Sequence, residues 1–173
     1  FTKENIRFVT KTEILIGDKI TLELAKHLID NSWNRIGVVI DKGFYENNAY
    51  SKEIIELLEN ELKQVVLLVN EMPEPTYDYL DKVKTKFEKY ELDCFVGIGG
   101  GSTMDLGKGV ALLLTNDVPA LSLKGFPKNV HDPLPLISVP SIFGSGSEVS
   151  YNAVFIDENE GRKLGINTRK NFP

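Results

Sequence analysis

Along this chain, short unbroken apolar runs alternate with longer stretches in which apolar residues recur every three or four positions. Runs of the first kind read as buried strands, and stretches of the second kind as helices with one apolar face. Residues 6–9 and 12–16, divided by a polar step, predict an opening β-hairpin, and 18–31 an amphipathic helix. RIGVVID at 35–41, QVVLLV at 64–69 and DCFVGI at 93–98 predict three strands. Between them, 52–62 puts Ile54, Ile55, Leu57, Leu58 and Leu62 on one helical stripe. Residues 77–90 predict a further helix, and 102–115 another that begins directly after three glycines.

Regular alternation of strand and helix implies a parallel sheet, and strands without polar interruption imply cover on both faces. The expected fold is therefore α/β, a doubly wound parallel sheet of Rossmann-like type. Beyond Thr115 the pattern loosens. Residues 125–133 read as a loop, 136–139 as a short strand, and 152–157 with 162–167 as a hairpin. Neither repeats nor low-complexity tracts interrupt residues 1–173, which read as one nucleotide-binding domain.

Composition narrows the partners. Hydrophobic residues make up 42% of the 173 and charged residues 26%, as in an ordinary globular domain, and the net charge of −5 argues against nucleic acid. The single cysteine, Cys94, lies inside an apolar run, excludes an internal disulfide and suits a reducing, cytoplasmic setting. Apolar runs such as 65–69 and 111–114 are too short to span a membrane.

The chemistry concentrates at VGIGGGSTMDLGKGV, residues 96–110. Glycines at the carboxyl end of a parallel strand, leading into a helix with free N–H groups and a positive dipole end, make a phosphate pocket. The spacing GGGSxxDxxK matches neither GxGxxG nor the Walker pattern, so by itself it supports a generic phosphate loop. Ser102 with Asp105 three residues on also has the form of a helix cap, and Gly107 and Gly109 suit close helix packing. Lys108, three residues after Asp105, has the spacing of a surface ion pair. A second loop, PSIFGSGSEVS at 140–150, follows a strand and is rich in hydroxyls.

Together, GGGSxxDxxK and P[ST]xxG[ST]GSE resemble the amino-terminal domain of the iron-containing, or group III, alcohol dehydrogenases. That family includes glycerol dehydrogenase and is related in fold to dehydroquinate synthase. The resemblance covers most of the chain, and GRKLGIN at 161–167 is similar to the subgroup that oxidises the terminal alcohol of 3-deoxy-octulosonate sugars. It implies NAD as cofactor, with NADP left open, and an alcohol or sugar substrate; a homodimer is also left open. By that resemblance, Gly99, Gly100, Gly101 and Ser102 hold the pyrophosphate, and Asp105 lies near the nicotinamide. Asp41 takes the adenosine ribose hydroxyls, a role in which a carboxylate also repels a 2′-phosphate. Ser141, Ile142, Ser145 and Ser147 line the ribose and phosphates, and Lys163 reaches the nicotinamide ribose. Asp41 also suits a turn or cap, and Lys163 a solvated hairpin position.

The chain departs from the pattern in places. Ile142 lacks the hydroxyl usual at its position, and Phe143 is bulky enough to narrow the space beside it. Glu74 brings a charge close to the expected adenine edge. The resemblance further implies a divalent metal, iron or zinc, held by one Asp and two or three His. His27 reads as a helix-surface residue, and His131 sits among turn formers without a partner at ligand spacing. The metal ligands and the family's all-helical metal-binding domain are therefore expected outside residues 1–173, and no catalytic residue is assigned within them. Three alternatives stay open: a glycerol dehydrogenase or dehydroquinate-synthase type of relative, a stand-alone nucleotide-binding module without catalysis, and a flavodoxin-like α/β domain without cofactor.

Overall fold

The computed structural model describes residues 10–18 and 20–173. Helix α1 (Ile20–Asp30) leads into β1 (Arg35–Asp41), then α2 (Lys42–Asn47), α3 (Ala49–Glu61), β2 (Gln64–Asn70) and α4 (Tyr77–Phe87). Strand β3 (Cys94–Gly99), α5 (Gly101–Leu113), β4 (Leu136–Pro140) and the strands β5 (Asn152–Asp157) and β6 (Arg162–Asn167) complete the order. The sequence pattern anticipates all of these elements except α2 and two short 3-10 turns, Ala120–Leu123 and Ser147–Val149. Helix α2 escapes it because six residues are too few to show a period. For the expected opening hairpin, 12–16 forms no strand among the described residues, and 6–9 lies outside them.

Strands β1 to β4 form one parallel sheet in the order β2-β1-β3-β4. Alternate residues of the central strands enter two separate cores. Ile36, Val38 and Ile40 of β1, with Cys94, Val96 and Ile98 of β3, face Leu24, Ala25 and Leu28 of α1 and Ile54, Ile55 and Leu58 of α3. Val39 and Phe95 face the other way, toward Leu80, Val83 and Phe87 of α4 and Leu106 and Val110 of α5. Cover on both faces explains why these strands carry no polar alternation. The backbones of α5 and β3 approach unusually closely, since a Cβ on Gly107 would stand 3.3 Å from Gly97 Cα.

The β5–β6 hairpin forms a second, antiparallel sheet beside α4 and α5. Phe155 packs on Tyr77 with ring centroids 5.4 Å apart, and Ile156 N–H donates to Pro75 O at 2.9 Å. The chain goes from β1 to β2, then returns past β1 to β3 and onward to β4. The reversal opens a crevice between the carboxyl ends of β1 and β3, the place where open α/β sheets bind ligands. Among the described residues, no helix is long and apolar enough to cross a membrane.

Candidate functional site

Three strand ends and one helix start meet at the crevice. Gly99 closes β3 at φ +154°, and a Cβ there would lie 2.9 Å from both Asp41 Cβ and Thr103 Cβ. Only glycine fits this backbone and this approach. Asn70, buried at the end of β2, donates from Nδ2 to Thr103 Oγ1 at 3.2 Å and to Met72 O at 3.0 Å. It braces β2 against the first turn of α5. Sequence reasoning missed both Asn70 and Thr103, although Asn70 ends its strand as Asp41 ends β1, in register with it.

Helix α5 starts at Gly101 with Gly100 as its N-cap, and no side chain caps it. The cap expected from Ser102 and Asp105 does not form, because the helix starts early enough to put Ser102 inside the first turn. Thr103 and Met104 N–H both donate to Gly100 O, at 3.1 and 3.0 Å, which leaves the Gly101 and Ser102 N–H groups at the positive end of the dipole without an intrahelical acceptor.

The second glycine-rich loop nests against this helix start. Ser141 N–H donates to Gly99 O at 2.9 Å. A Cβ on Gly100 would meet Ile142 Cδ1 at 3.2 Å, and one on Gly101 would meet Ser145 Cβ at 3.0 Å. The protein's own second loop thus leaves little room for a side chain at these two glycines. Ser145 Oγ donates to Glu148 Oε2 at 3.3 Å and accepts from Ser147 N–H at 3.2 Å. Phe143, expected to narrow the site, instead projects outward and is 99% exposed. A loop tip flanked by Gly144 and Gly146, both at positive φ, leaves nothing for it to pack on.

Lys108 corrects the surface-pair reading: it is fully buried. Its Nζ donates to Ser147 Oγ at 2.8 Å, Asn152 O at 3.0 Å and Asp105 Oδ1 at 3.2 Å, with Ser150 Oγ at 3.5 Å. Ser147 Oγ in turn donates to Asp105 Oδ1 at 2.6 Å, and Asp105 Oδ2 accepts from Val154 N–H at 3.0 Å. Desolvation pushes the Lys108 pKa below the usual lysine range, against the opposing pull of the Asp105 carboxylate. A spacing of three residues on a helix cannot reveal this burial, because the partners come from 147–154.

Asp41 accepts from Phe44 N–H at 2.8 Å through Oδ1 and caps α2. Lys163, on β6, pairs with Glu74 at 2.5 Å, each side chain being about half exposed. That pair stands beside a cleft of about 210 Å³ lined by Gly101, Ser102, Asp105, Val154, Phe155 and Ile156 among others. Glu74 therefore borders the α5 cleft, where it neutralises Lys163. The sites so gathered form two neighbouring groups: Asp41 with Gly99 and Thr103 at the strand ends, and Gly101, Ser102, Asp105, Glu74 and Lys163 around the cleft.

Neither histidine enters this region's hydrogen bonding. His27 stacks edge-on with Trp33 at 5.9 Å, and the His131 backbone is held by Asn116 Oδ1 at 2.7 Å. Among the described residues, no group of three or more His, Cys, Asp and Glu side chains is placed to hold a metal ion. The described residues do not fit such a centre.

A family model described as iron-containing alcohol dehydrogenase matches residues 11–173. Alcohol dehydrogenase 4 of Schizosaccharomyces pombe is 30% identical over 159 residues, 92% of this chain and 37% of that protein. Among solved structures, an alcohol dehydrogenase from Oenococcus oeni superposes with a TM-score of 0.88 at 24% identity, covering 98% of this chain and 44% of the other. A sulfoacetaldehyde reductase from Bifidobacterium kashiwanohense in complex with NAD+ gives 0.86 at 22% identity, covering 98% and 45%. The chain thus spans less than half the length of these proteins.

Proposed function

The chain belongs to the iron-containing alcohol dehydrogenase family, and from that premise we propose that it is the NAD-binding part of a metal-dependent alcohol dehydrogenase. The reaction is hydride transfer between the nicotinamide and an alcohol or sugar alcohol of small size. When bound, NAD supplies the hydride acceptor or donor; the residues described here bind and orient it. The metal that the family's name carries would be held by residues other than these.

The observation that carries this reading is the glycine cradle at the switch point. Gly100 and Gly101 start α5 without a side-chain cap, so the Gly101 and Ser102 N–H groups are free to receive a pyrophosphate. In this reading Gly99, Gly100, Gly101 and Ser102 hold the diphosphate. Ser141, Ile142, Ser145 and Ser147 belong to the loop that closes over it, so Ile142 and Ser145 shift from the glycines as the diphosphate enters. Asp105 lies at the nicotinamide side, and Lys163 leaves Glu74 for the nicotinamide ribose. Asp41 takes the adenosine ribose through the oxygen that its cap leaves available. An aspartate at that point disfavours a 2′-phosphate, which makes NAD the cofactor rather than NADP.

The test is Asp41→Asn, titrated with NADH and NADPH by nicotinamide fluorescence on the intact protein. Asparagine caps a helix as well as aspartate does, so α2 is kept while the charge is lost. The preference for NADH over NADPH is expected to fall by roughly tenfold, equivalent to about 1.4 kcal/mol of lost repulsion. An unchanged ratio would remove Asp41 from the ribose site. A wild-type protein that binds neither nucleotide would overturn the cofactor reading altogether.

A further inference from the structure

Lys108 is a buried cation with its partners drawn from both glycine-rich loops' supports. The helix that begins at the glycines carries Lys108 and Asp105; the second loop supplies Ser147 and Ser150; β5 supplies the Asn152 carbonyl and the Val154 N–H. Three separate segments therefore meet at one ammonium and one carboxylate. Breaking such a buried cluster by removing a single charged member leaves the other charge uncompensated, so the members hold one another in place.

We propose that the Lys108–Asp105–Ser147 cluster is a positioning device that sets the second glycine-rich loop and the β5–β6 hairpin at a fixed distance from the glycine start of α5. It rests on the reading that this crevice holds NAD. The nicotinamide half of the cofactor needs all three segments in register: the α5 start, the loop with Ser145, and Lys163 on β6. The adenine half does not. Its groups, Asp41, Gly99 and the Asn70–Thr103 brace, share no hydrogen bond with Lys108. Asp105 in this role acts through its neighbours, with Oδ1 shared by Ser147 and Lys108 and Oδ2 given to Val154 N–H. Lys108 is a positioning residue, sealed from the cleft that Asp105 lines.

The separation of the two halves makes the test selective. Lys108→Met keeps the length and apolar stem and removes the charge; Ser147→Ala removes only one hydroxyl and is the milder probe should the first variant fail to fold. NADH and adenosine, which lacks the diphosphate covered by the second loop, are titrated against the intact wild type and both variants by calorimetry. NADH affinity is expected to fall roughly tenfold or more in Lys108→Met and less in Ser147→Ala, while adenosine affinity moves by less than about threefold in either. A brace that serves stability alone would lower the melting midpoint and leave both affinities unchanged or weaken both equally; either result overturns the proposal. If wild type binds adenosine and NADH and only the split between them fails, the cofactor reading survives and the positioning role falls. Wild type binding neither ligand removes both.

Discussion

Gly99→Ala probes the backbone at which β3 hands over to the crevice. Two costs can be worked from the structure. At φ +154° an L-residue is strained by about 1–3 kcal/mol. The added methyl would also sit 2.9 Å from the Cβ atoms of Asp41 and Thr103, neither of them the loose end of a long side chain. Relief requires β1 and α5 to part, an overpacking cost of about 1–3 kcal/mol. Together these predict a loss of roughly 2–6 kcal/mol, a large share of the 5–15 typical for a folded domain. Gly144→Ala is the matched control: its φ is +106°, and nothing lies within 4 Å of the added carbon. It should lose only the strain, about 1–3 kcal/mol. Urea unfolding of the intact protein, followed by circular dichroism, measures both variants. A Gly99→Ala loss no greater than that of Gly144→Ala would refute the argument that Asp41 and Thr103 press on this glycine.

Two further outcomes concern the sheet below the site. The Arg35 guanidinium, with the Asn34 and Arg35 N–H groups, holds the Asp93 carboxyl below the usual aspartate range. Because the folded value is the lower one, its contribution is present above the unfolded value and is lost as pH falls through the folded value. The stability gap between wild type and Asp93→Asn should thus be constant at neutral pH and close below about pH 4, as read from urea midpoints across pH. A gap that does not narrow as pH falls below about 4 would show that the ion pair is not its source. Burial pushes the Cys94 thiol up to about 12. A thiol reagent at pH 8 should leave the native protein unmodified and label it within minutes in urea, as followed by mass; rapid native labelling would contradict the burial.

Much of this protein was settled by local pattern. Apolar runs at 35–41 and 64–70 are strands because a parallel strand covered on both faces has no polar alternation to hide, and the hairpin at 152–167 shows plainly in its two runs. The place of the candidate site's glycines was legible too, since glycines between a strand and a following helix lie at the carboxyl edge of the sheet. Side-chain roles were legible only in part. Lys108 and Asp105 look like a surface pair in one dimension, because helix spacing reports neighbours on the same helix and says nothing of 147–154 lying above them. Asp41 looks like a strand end, and only the turn of the chain into α2 makes it a cap. Asn70 and Thr103 carry no motif, and they became partners when the fold brought residues 33 positions apart within 3.2 Å. Elements follow from near-neighbour polarity, which the chain carries explicitly. Buried polar contacts depend on which distant segments share a low-dielectric space, and tertiary packing alone decides that.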